Sequence, residues 1–492
     1  MGKGEHGGEN PITLFSAITT YIGYATLIVF GRLRDFVGQL LGSSRYKSAF
    51  EASKDGYAPF SFSFENFYTR RMYHRIQDCF NRPYTGPPGA EIRVVERETK
   101  DGVVYEAKDS SHNNKCLNLG SYNYLGFADD WNSTCKDFVF EAFDEYSVSA
   151  LSPRLDCGTN ALHKHLEETV AEFVGKEAAF VFNMGYGTNS TVIPALMGAG
   201  SLVVSDSLNH ASIVNGSRAS GAVIRVFRHN SAKNLEKILR EAIVDGQPRT
   251  HRPWKKILVM VEGVYSMEGE ICDLKRIVEV AKKYKCYVYV DEAHSIGAVG
   301  ATGRGVCQHC GVDPDDVDIL MGTFTKSFGG MGGYIASSRD FVEQLKRQTS
   351  GAMFSTAMSP IICKQIIRAF DIIDGRAMGD LGREKLERVK KNSDYFRDSL
   401  IAMGCEVFGD EGSPVIPLML YNPTKIAAFS RECYKRGLAV VVVGFPATPV
   451  VLSRARFCIS AGHTREQLDD ALKKIEEVAD VLKLKYRKRI TG

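Results

Sequence analysis

Four short apolar runs, Ser201 to Ser205, Lys256 to Val261, Cys286 to Val290 and Val317 to Met321, recur between stretches of helical periodicity such as Asp273 to Lys285. Strands buried on both faces read as continuous apolar stretches, and their alternation with helices predicts a mostly parallel sheet covered by helices. The fold class expected is therefore α/β. At 492 residues the chain is too long for one compact core. The expected division is an N-terminal segment 1–60, an arm 61–121, a large domain 122–352 and a small C-terminal α+β domain 353–492. In the last of these, strand-like Leu438 to Val443 precedes a terminal helix starting near Thr464.

Composition removes several function classes. Basic residues number 62 and acidic residues 58, for a net charge of +4, and the basic residues are scattered rather than gathered into a stripe. Nucleic-acid binding has no electrostatic footprint here. The twelve cysteines show no repeating spacing and read as reduced thiols. Cys307 and Cys310 lack a second pair at zinc-site distance, so no metal site is expected. Glycosylation sequons at Asn132, Asn189 and Asn215 would stay bare on a cytosolic domain.

From Asn10 to Gly31 no residue carries a charge. About 20 helical residues cross a bilayer, so this stretch reads as a membrane-associated helix. Thr13, Ser16, Thr20 and Gly23 form a small polar stripe, which suits helix packing within the membrane or a helix lying in the interface; a buried soluble helix is a third reading. Phe30, Leu33, Val37, Leu40 and Leu41 extend it as an amphipathic continuation. Arg32, Arg34, Arg45 and Lys47 follow the stretch and only Lys3 precedes it, which places the bulk of the protein on the cytosolic side.

The residues that carry chemistry lie at predicted strand ends. The strand Cys286 to Val290 runs into Asp291-Glu292-Ala293-His294. Side chains there project into the crevice where α/β proteins bind ligands, and a carboxylate in that position can pair with a protonated pyridine nitrogen. His294 can reach the ring's phenolic oxygen. Alone, the tetrapeptide reads equally well as a helix cap followed by a surface histidine. Gly322-Thr323-Phe324-Thr325-Lys326-Ser327-Phe328-Gly329-Gly330, directly after another strand, breaks the tie. A lysine set among hydroxyls and glycines past a strand end can form a Schiff base while Thr323 binds a phosphate oxygen. Gly185 and Tyr186, in Asn183-Met184-Gly185-Tyr186-Gly187, open a helix whose amides can hold a phosphate. His210 follows a strand and can stack on the ring, and Ser266, in Glu262-Gly263-Val264-Tyr265-Ser266-Met267-Glu268-Gly269, can reach the phosphate or the phenolic oxygen.

The order of these motifs resembles the α-oxoamine synthase family of fold-type I pyridoxal-phosphate enzymes, over about residues 60 to 480. Within it, Gly322 to Gly329, Tyr73-His-Arg-Ile-Gln-Asp-Cys-Phe80 and Pro446-Ala-Thr-Pro449 resemble the serine palmitoyltransferase branch. The resemblance implies pyridoxal 5'-phosphate bound to Lys326, Asp291 on the pyridinium, His294 on the phenolic oxygen and His210 stacked on the ring. It also implies Arg456 on the substrate carboxylate, Tyr122 and Asn123 near the substrate, and Ser355-Thr356 reaching a neighbouring subunit's phosphate. Ser152-Pro153-Arg154 departs from the pattern, where relatives have a Ser-Arg pair without the proline. The implied substrates are L-serine and palmitoyl-CoA. The implied partner is a homologous non-catalytic subunit in the endoplasmic reticulum membrane, with small regulatory membrane subunits possible. Another α-oxoamine synthase, using glycine or alanine with a short acyl-CoA, and a noncatalytic membrane subunit of the same assembly are the competing readings.

Overall fold

The computed structural model describes residues 14–41, 57, 67–69, 71–99, 105–108 and 113–486. Residues 10–13 of the uncharged stretch, together with Arg45 and Lys47, lie outside that set. In chain order the strands used below are β1 (Glu91–Val95), β2 (Asn113–Asn118), β3 (Ala178–Phe182), β4 (Leu202–Asp206), β5 (Val223–Phe227), β6 (Ile257–Glu262), β7 (Tyr287–Asp291), β8 (Ile319–Thr323), β9 (Gly333–Ser337), β10 (Val415–Tyr421), β11 (Leu438–Ala439), β12 (Val441–Val443) and β13 (Ser453–Cys458). The helices are α1 (Leu14–Leu40), α2 (Ala161–Val174), α3 (Gly185–Leu196), α4 (Ala211–Ala219), α5 (Leu274–Lys283), α6 (Pro360–Ile373), α7 (Leu381–Ala402), α8 (Pro423–Lys435) and α9 (Arg465–Val481).

The large sheet has the order β3-β9-β8-β7-β6-β4-β5. All its pairings are parallel except those of β9, which runs antiparallel to β8 and β3. The four apolar runs read from sequence are its central strands, each shifted one or two residues toward the carboxyl end. The shift arises because Asp206, Glu262, Asp291 and Thr323 keep the ladder pairing although their side chains are polar. Those four residues therefore end adjacent strands along one edge, which is where the site forms.

A second core lies around the antiparallel sheet β10-β13-β12, covered by α8, α9 and the last turns of α7. Thr464 caps α9 with a reciprocal Gln467 bond, which explains its abrupt start. The expected boundary at 353 falls ahead of α6, whose Cys363, Ile366 and Phe370 pack in the core of the large sheet. The chain changes cores along α7, where Leu386 and Val389 belong to the first and Phe396 and Leu400 to the second. The single strand expected over Leu438 to Val443 is divided: β11 pairs with β2 of the arm, and β12 pairs with β13.

Helix α1 runs unbroken from Leu14 to Leu40, through the described part of the uncharged stretch and into its amphipathic continuation. It turns small residues inward. Thr20, Gly31 and Gly38 are buried, and a Cβ at Gly31 would come within 2.9 Å of the Phe67 ring. Asp35 is buried beside Arg71, whose Nε donates to it at 2.7 Å. Ile22, Val29, Phe30, Phe36 and Leu40 are exposed on the outer face. Among the described residues, no helix is long and apolar enough to cross a membrane.

Candidate active site

Each side chain at the sheet edge is placed by the strand or turn that carries it. Asp291 ends β7 and is buried, its Oδ2 accepting from the Asn189 amide at 2.7 Å and its Oδ1 from the Ala293 N–H at 2.9 Å. Asn189 is held in turn by Tyr289, whose hydroxyl donates to its Oδ1 at 2.6 Å, while its amide also reaches Ser212 Oγ at 2.9 Å. Three residues past Asp291, the buried His294 receives a hydrogen bond between its Nδ1 and the Tyr124 hydroxyl at 2.8 Å. Burial, with Lys326 and Arg456 nearby, pushes His294 well below the ordinary histidine value, so the ring is neutral.

Lys326 follows β8 and points its ammonium toward the Tyr122 ring, 5.6 Å from the centroid. Burial pulls its amine down to about 8, against the opposing pull of Asp291 and Glu262. With the amine at about 8, roughly a tenth is free base at pH 7, and that neutral fraction is the nucleophile. Glu262, which ends β6 in register with Asp291, accepts the His210 backbone N–H. Burial and the facing Asp291 raise the Glu262 carboxyl well above the usual range.

Thr323 donates to the Gly332 carbonyl at 2.8 Å, and its Oγ1 lies 2.8 Å from Thr325 Oγ1. Gly185 opens α3 directly opposite: a Cβ there would come within 2.8 Å of Thr323 Oγ1, so glycine keeps open the space in front of the helix start. His210 caps α4 through its Nδ1 and stands edge-on to Tyr186, ring centroids 6.1 Å apart. The Tyr186 hydroxyl is engaged by Asn215 at 2.6 Å. On the other wall, Arg456 stands over the Tyr122 ring at 4.7 Å, and Tyr122 packs edge-on against His294 at 5.1 Å. The Arg456 guanidinium is buried, and its Nε has no partner.

Not every expected residue joins this group. The Asn123 side chain is committed to its own turn, donating to Asp129 Oδ2 at 2.9 Å and accepting from Ala128 N–H at 3.2 Å, although it borders the cleft. Ser266 is half-buried in the loop after β6. Ser355 is half-buried beside Thr356, whose carbonyl accepts from Asn183 at 2.6 Å. Arg154, beyond the extra Pro153, makes a buried pair with Glu167 at 2.9 Å and serves the fold. A cleft of about 660 Å³ opens over Lys326, walled by Tyr122, Phe127, Trp131, Pro87 and Pro88.

Residues 114–475 match the family model for aminotransferase class I and II. Long chain base biosynthesis protein 2b of Arabidopsis thaliana is 54% identical over 96% of this chain and 96% of its own length. Serine palmitoyltransferase 2 of Dictyostelium discoideum is 48% identical over 95% of this chain and 94% of its own. The chain belongs to the serine palmitoyltransferase family. Among solved structures, the Sphingomonas wittichii serine palmitoyltransferase superposes with a TM-score of 0.75 at 29% identity, covering 87% of this chain and 99% of that one. A serine palmitoyltransferase from S. paucimobilis with a bound PLP-myriocin aldimine superposes at 0.74 and 28% identity, covering 85% and 97%.

As a member of the serine palmitoyltransferases, the chain is a pyridoxal-phosphate-dependent acyltransferase of the aminotransferase class I and II fold. Its residues fit the cofactor. Asp291 has each oxygen already taking one hydrogen bond yet retains lone pairs for a pyridinium N–H. The space kept open at Gly185 faces amides at a helix start, which favour a phosphate. Residues left without a role by the sequence are Asn189, Tyr124 and Glu262, which hold Asp291, His294 and His210 from behind, and Tyr289, which holds Asn189 in turn. Asn189 stands out in the sequence only as a sequon left bare, and the helix buries it against Asp291.

Proposed function

We propose that this chain is the catalytic subunit of its serine palmitoyltransferase, condensing L-serine with palmitoyl-CoA to 3-ketosphinganine with loss of CoA and carbon dioxide. The observation that carries this is Lys326: a buried lysine with its amine pulled down to about 8, lying within electrostatic reach of Asp291 and His294 and packed, like His294, against the Tyr122 ring. A noncatalytic subunit has no use for such a lysine. Bound pyridoxal phosphate supplies an electron sink for the carbanion formed at the serine Cα. Asp291 keeps the ring nitrogen protonated, Arg456 binds the serine carboxylate through its fork, and Lys326, once free, moves the Cα proton. The neutral His294 donates to the phenolic oxygen without adding charge. The cleft over Lys326, with Phe127, Trp131 and two prolines in its walls, offers apolar surface to the acyl thioester. Incubating the membrane-extracted enzyme with serine and a series of acyl-CoAs tests this reading: 3-ketosphinganine is expected from palmitoyl-CoA. Preferred use of glycine or alanine with a short acyl-CoA would instead identify another α-oxoamine synthase.

The same reading includes a homologous, cofactor-free partner subunit and attachment to the endoplasmic reticulum membrane with the catalytic domain in the cytosol. Phe354, Leu151 and Val148 are exposed around Ser355 and Thr356, an apolar surface that supports pairing there. The outward apolar face of α1 supports interfacial attachment. Expression of this chain alone decides the pairing: a stable dimer of this chain with full activity and no second subunit would refute the heterodimer.

A further inference from the structure

Two arginines stand two residues apart on β13, which places both on one face of the strand. Arg456 reaches the site. Arg454 does not, yet it is the largest fully buried side chain among the described residues, 1% exposed. Its donors go to one place. The Nε donates to the Leu452 carbonyl at 2.9 Å, while one terminal nitrogen donates both to the Met267 carbonyl at 2.7 Å and to Glu268 Oε1 at 3.1 Å. Met267 and Glu268 lie in the loop that follows β6 and carries Ser266, so Arg454 ties the small domain's central strand to a loop of the large domain. The same Met267 presents its thioether to an Arg456 terminal nitrogen at 3.8 Å. Met267 is thus held by its carbonyl from Arg454 while its sulfur meets Arg456.

Besides Met267, the Arg456 guanidinium meets the side chains of Tyr122 and Cys458. The Tyr122 ring lies beneath it, its Nε has no partner, and among the described residues no carboxylate pairs with it. Tyr122 and Cys458 hold it from the strand and arm side, and the Met267 sulfur is its contact on the side of the loop. Burying an ion pair such as Arg454 with Glu268 is weak as a source of stability, because desolvation offsets most of the attraction. What the group does secure is position: its planar guanidinium directs Nε to the Leu452 carbonyl and a terminal nitrogen to the Met267 carbonyl and Glu268 at once, a spread that the single nitrogen of a lysine cannot span.

We infer that Arg454 is a positioning residue for the amino-acid substrate: by fixing the Met267 main chain and the Glu268 carboxylate, it sets where the Met267 thioether stops the Arg456 guanidinium. This rests on the reading that Arg456 binds the substrate carboxylate. It locates part of the serine affinity outside the residues that touch serine, at the junction of the two cores.

The test compares Arg454→Lys, Glu268→Gln and Arg456→Lys in the membrane-extracted enzyme, measuring KM for serine, KM for palmitoyl-CoA, kcat, thermal midpoint and the visible absorbance of bound cofactor. Arg454→Lys is expected to raise the serine KM about tenfold while the palmitoyl-CoA KM stays within about twofold and the cofactor absorbance is kept. Glu268→Gln keeps an acceptor for Arg454 but removes its charge, and is expected to raise the serine KM in the same direction by less; it decides the matter if Arg454→Lys does not fold. An unchanged serine KM in the folded variants, with Arg456→Lys raising it, overturns the inference and leaves the Arg456 reading intact. Parallel loss of both KM values and kcat with a lowered thermal midpoint also overturns it, because a structural role alone would do that. If Arg456→Lys itself leaves the serine KM unchanged, the carboxylate reading fails and the inference falls with it.

Discussion

Asn189 donates its side-chain amide to Asp291 Oδ2 at 2.7 Å, joining the first turns of α3 to the end of β7. The bond fixes the rotation of the carboxylate that we propose pairs with the cofactor's ring nitrogen. Replacing Asn189 by Ala leaves the Asp291 oxygen and the Tyr289 hydroxyl short of a buried partner, at a cost of about 1–3 kcal/mol for each group. The expected outcome is a lowered denaturation midpoint together with slowed exchange of the serine Cα proton. Asp291→Asn is expected to slow that exchange much more while retaining cofactor, since an amide cannot hold the ring nitrogen protonated. Near-normal exchange in Asp291→Asn, followed by NMR, would remove the proposed role.

Cofactor capture is expected to follow the protonation of Lys326. Burial lowers its amine to about 8, and only the neutral amine attacks the cofactor aldehyde. Loading of cofactor-free protein should therefore rise as pH passes through about 8, well below the 10.5 of an ordinary lysine. Asp291 pulls the value upward, so Asp291→Asn should move the loading profile to lower pH. Stopped-flow absorbance across pH 6 to 10 reads both profiles. Lys326→Ala should abolish turnover with the fold intact, and borohydride attachment of the cofactor to some other lysine would be fatal to the assignment.

His229 predicts a distinct pH dependence of stability. Burial alone would lower its pKa, but Asp206 and Glu270, at 2.9 and 3.2 Å, raise it to about 10. A folded value above the unfolded 6.5 means the stabilisation is fully present below pH 6.5 and is lost as pH rises toward 10. Each pK unit corresponds to about 1.4 kcal/mol, so the change amounts to a few kcal/mol. Urea midpoints should fall across that window in the wild type, and His229→Gln should flatten the fall. A wild-type midpoint constant from pH 6.5 to 9.5 would rule the charged pairing out.

Removal of residues 1 to 45 should weaken membrane attachment without disturbing the cofactor, because no side chain at the site comes from α1. The helix is seated by Thr20, Gly31 and Asp35, and it presents Ile22, Val29, Phe30 and Phe36 outward. Carbonate washing of membranes checks the attachment, and visible absorbance checks the cofactor. Full retention on membranes after the truncation would move the main anchor to another segment or to a partner.

The chemistry-bearing residues were legible in the sequence because they sit at strand ends, and strand ends are marked by apolar runs breaking into polar and glycine residues. That local signal was enough to pick out Asp291, His294, Thr323 and Lys326 and the α/β class. It also extended to Thr464, whose capping partner lies three residues away. What the tertiary structure decided is everything that depends on contacts between distant segments. Asn189 shows in the sequence only as an unused sequon, and α3 folds it against β7. Tyr124, Glu262 and Arg454 have no role legible in the sequence, even where a motif contains them, because their partners lie far along the chain and only packing brings them together. The uncharged N-terminal stretch has the same apolar content whichever way it faces, and the Asp35–Arg71 pair is what turns its small residues inward. Local pattern specifies elements and their ends; the pairing of buried polar groups, each of which must find a partner once water is excluded, specifies how those ends become a site.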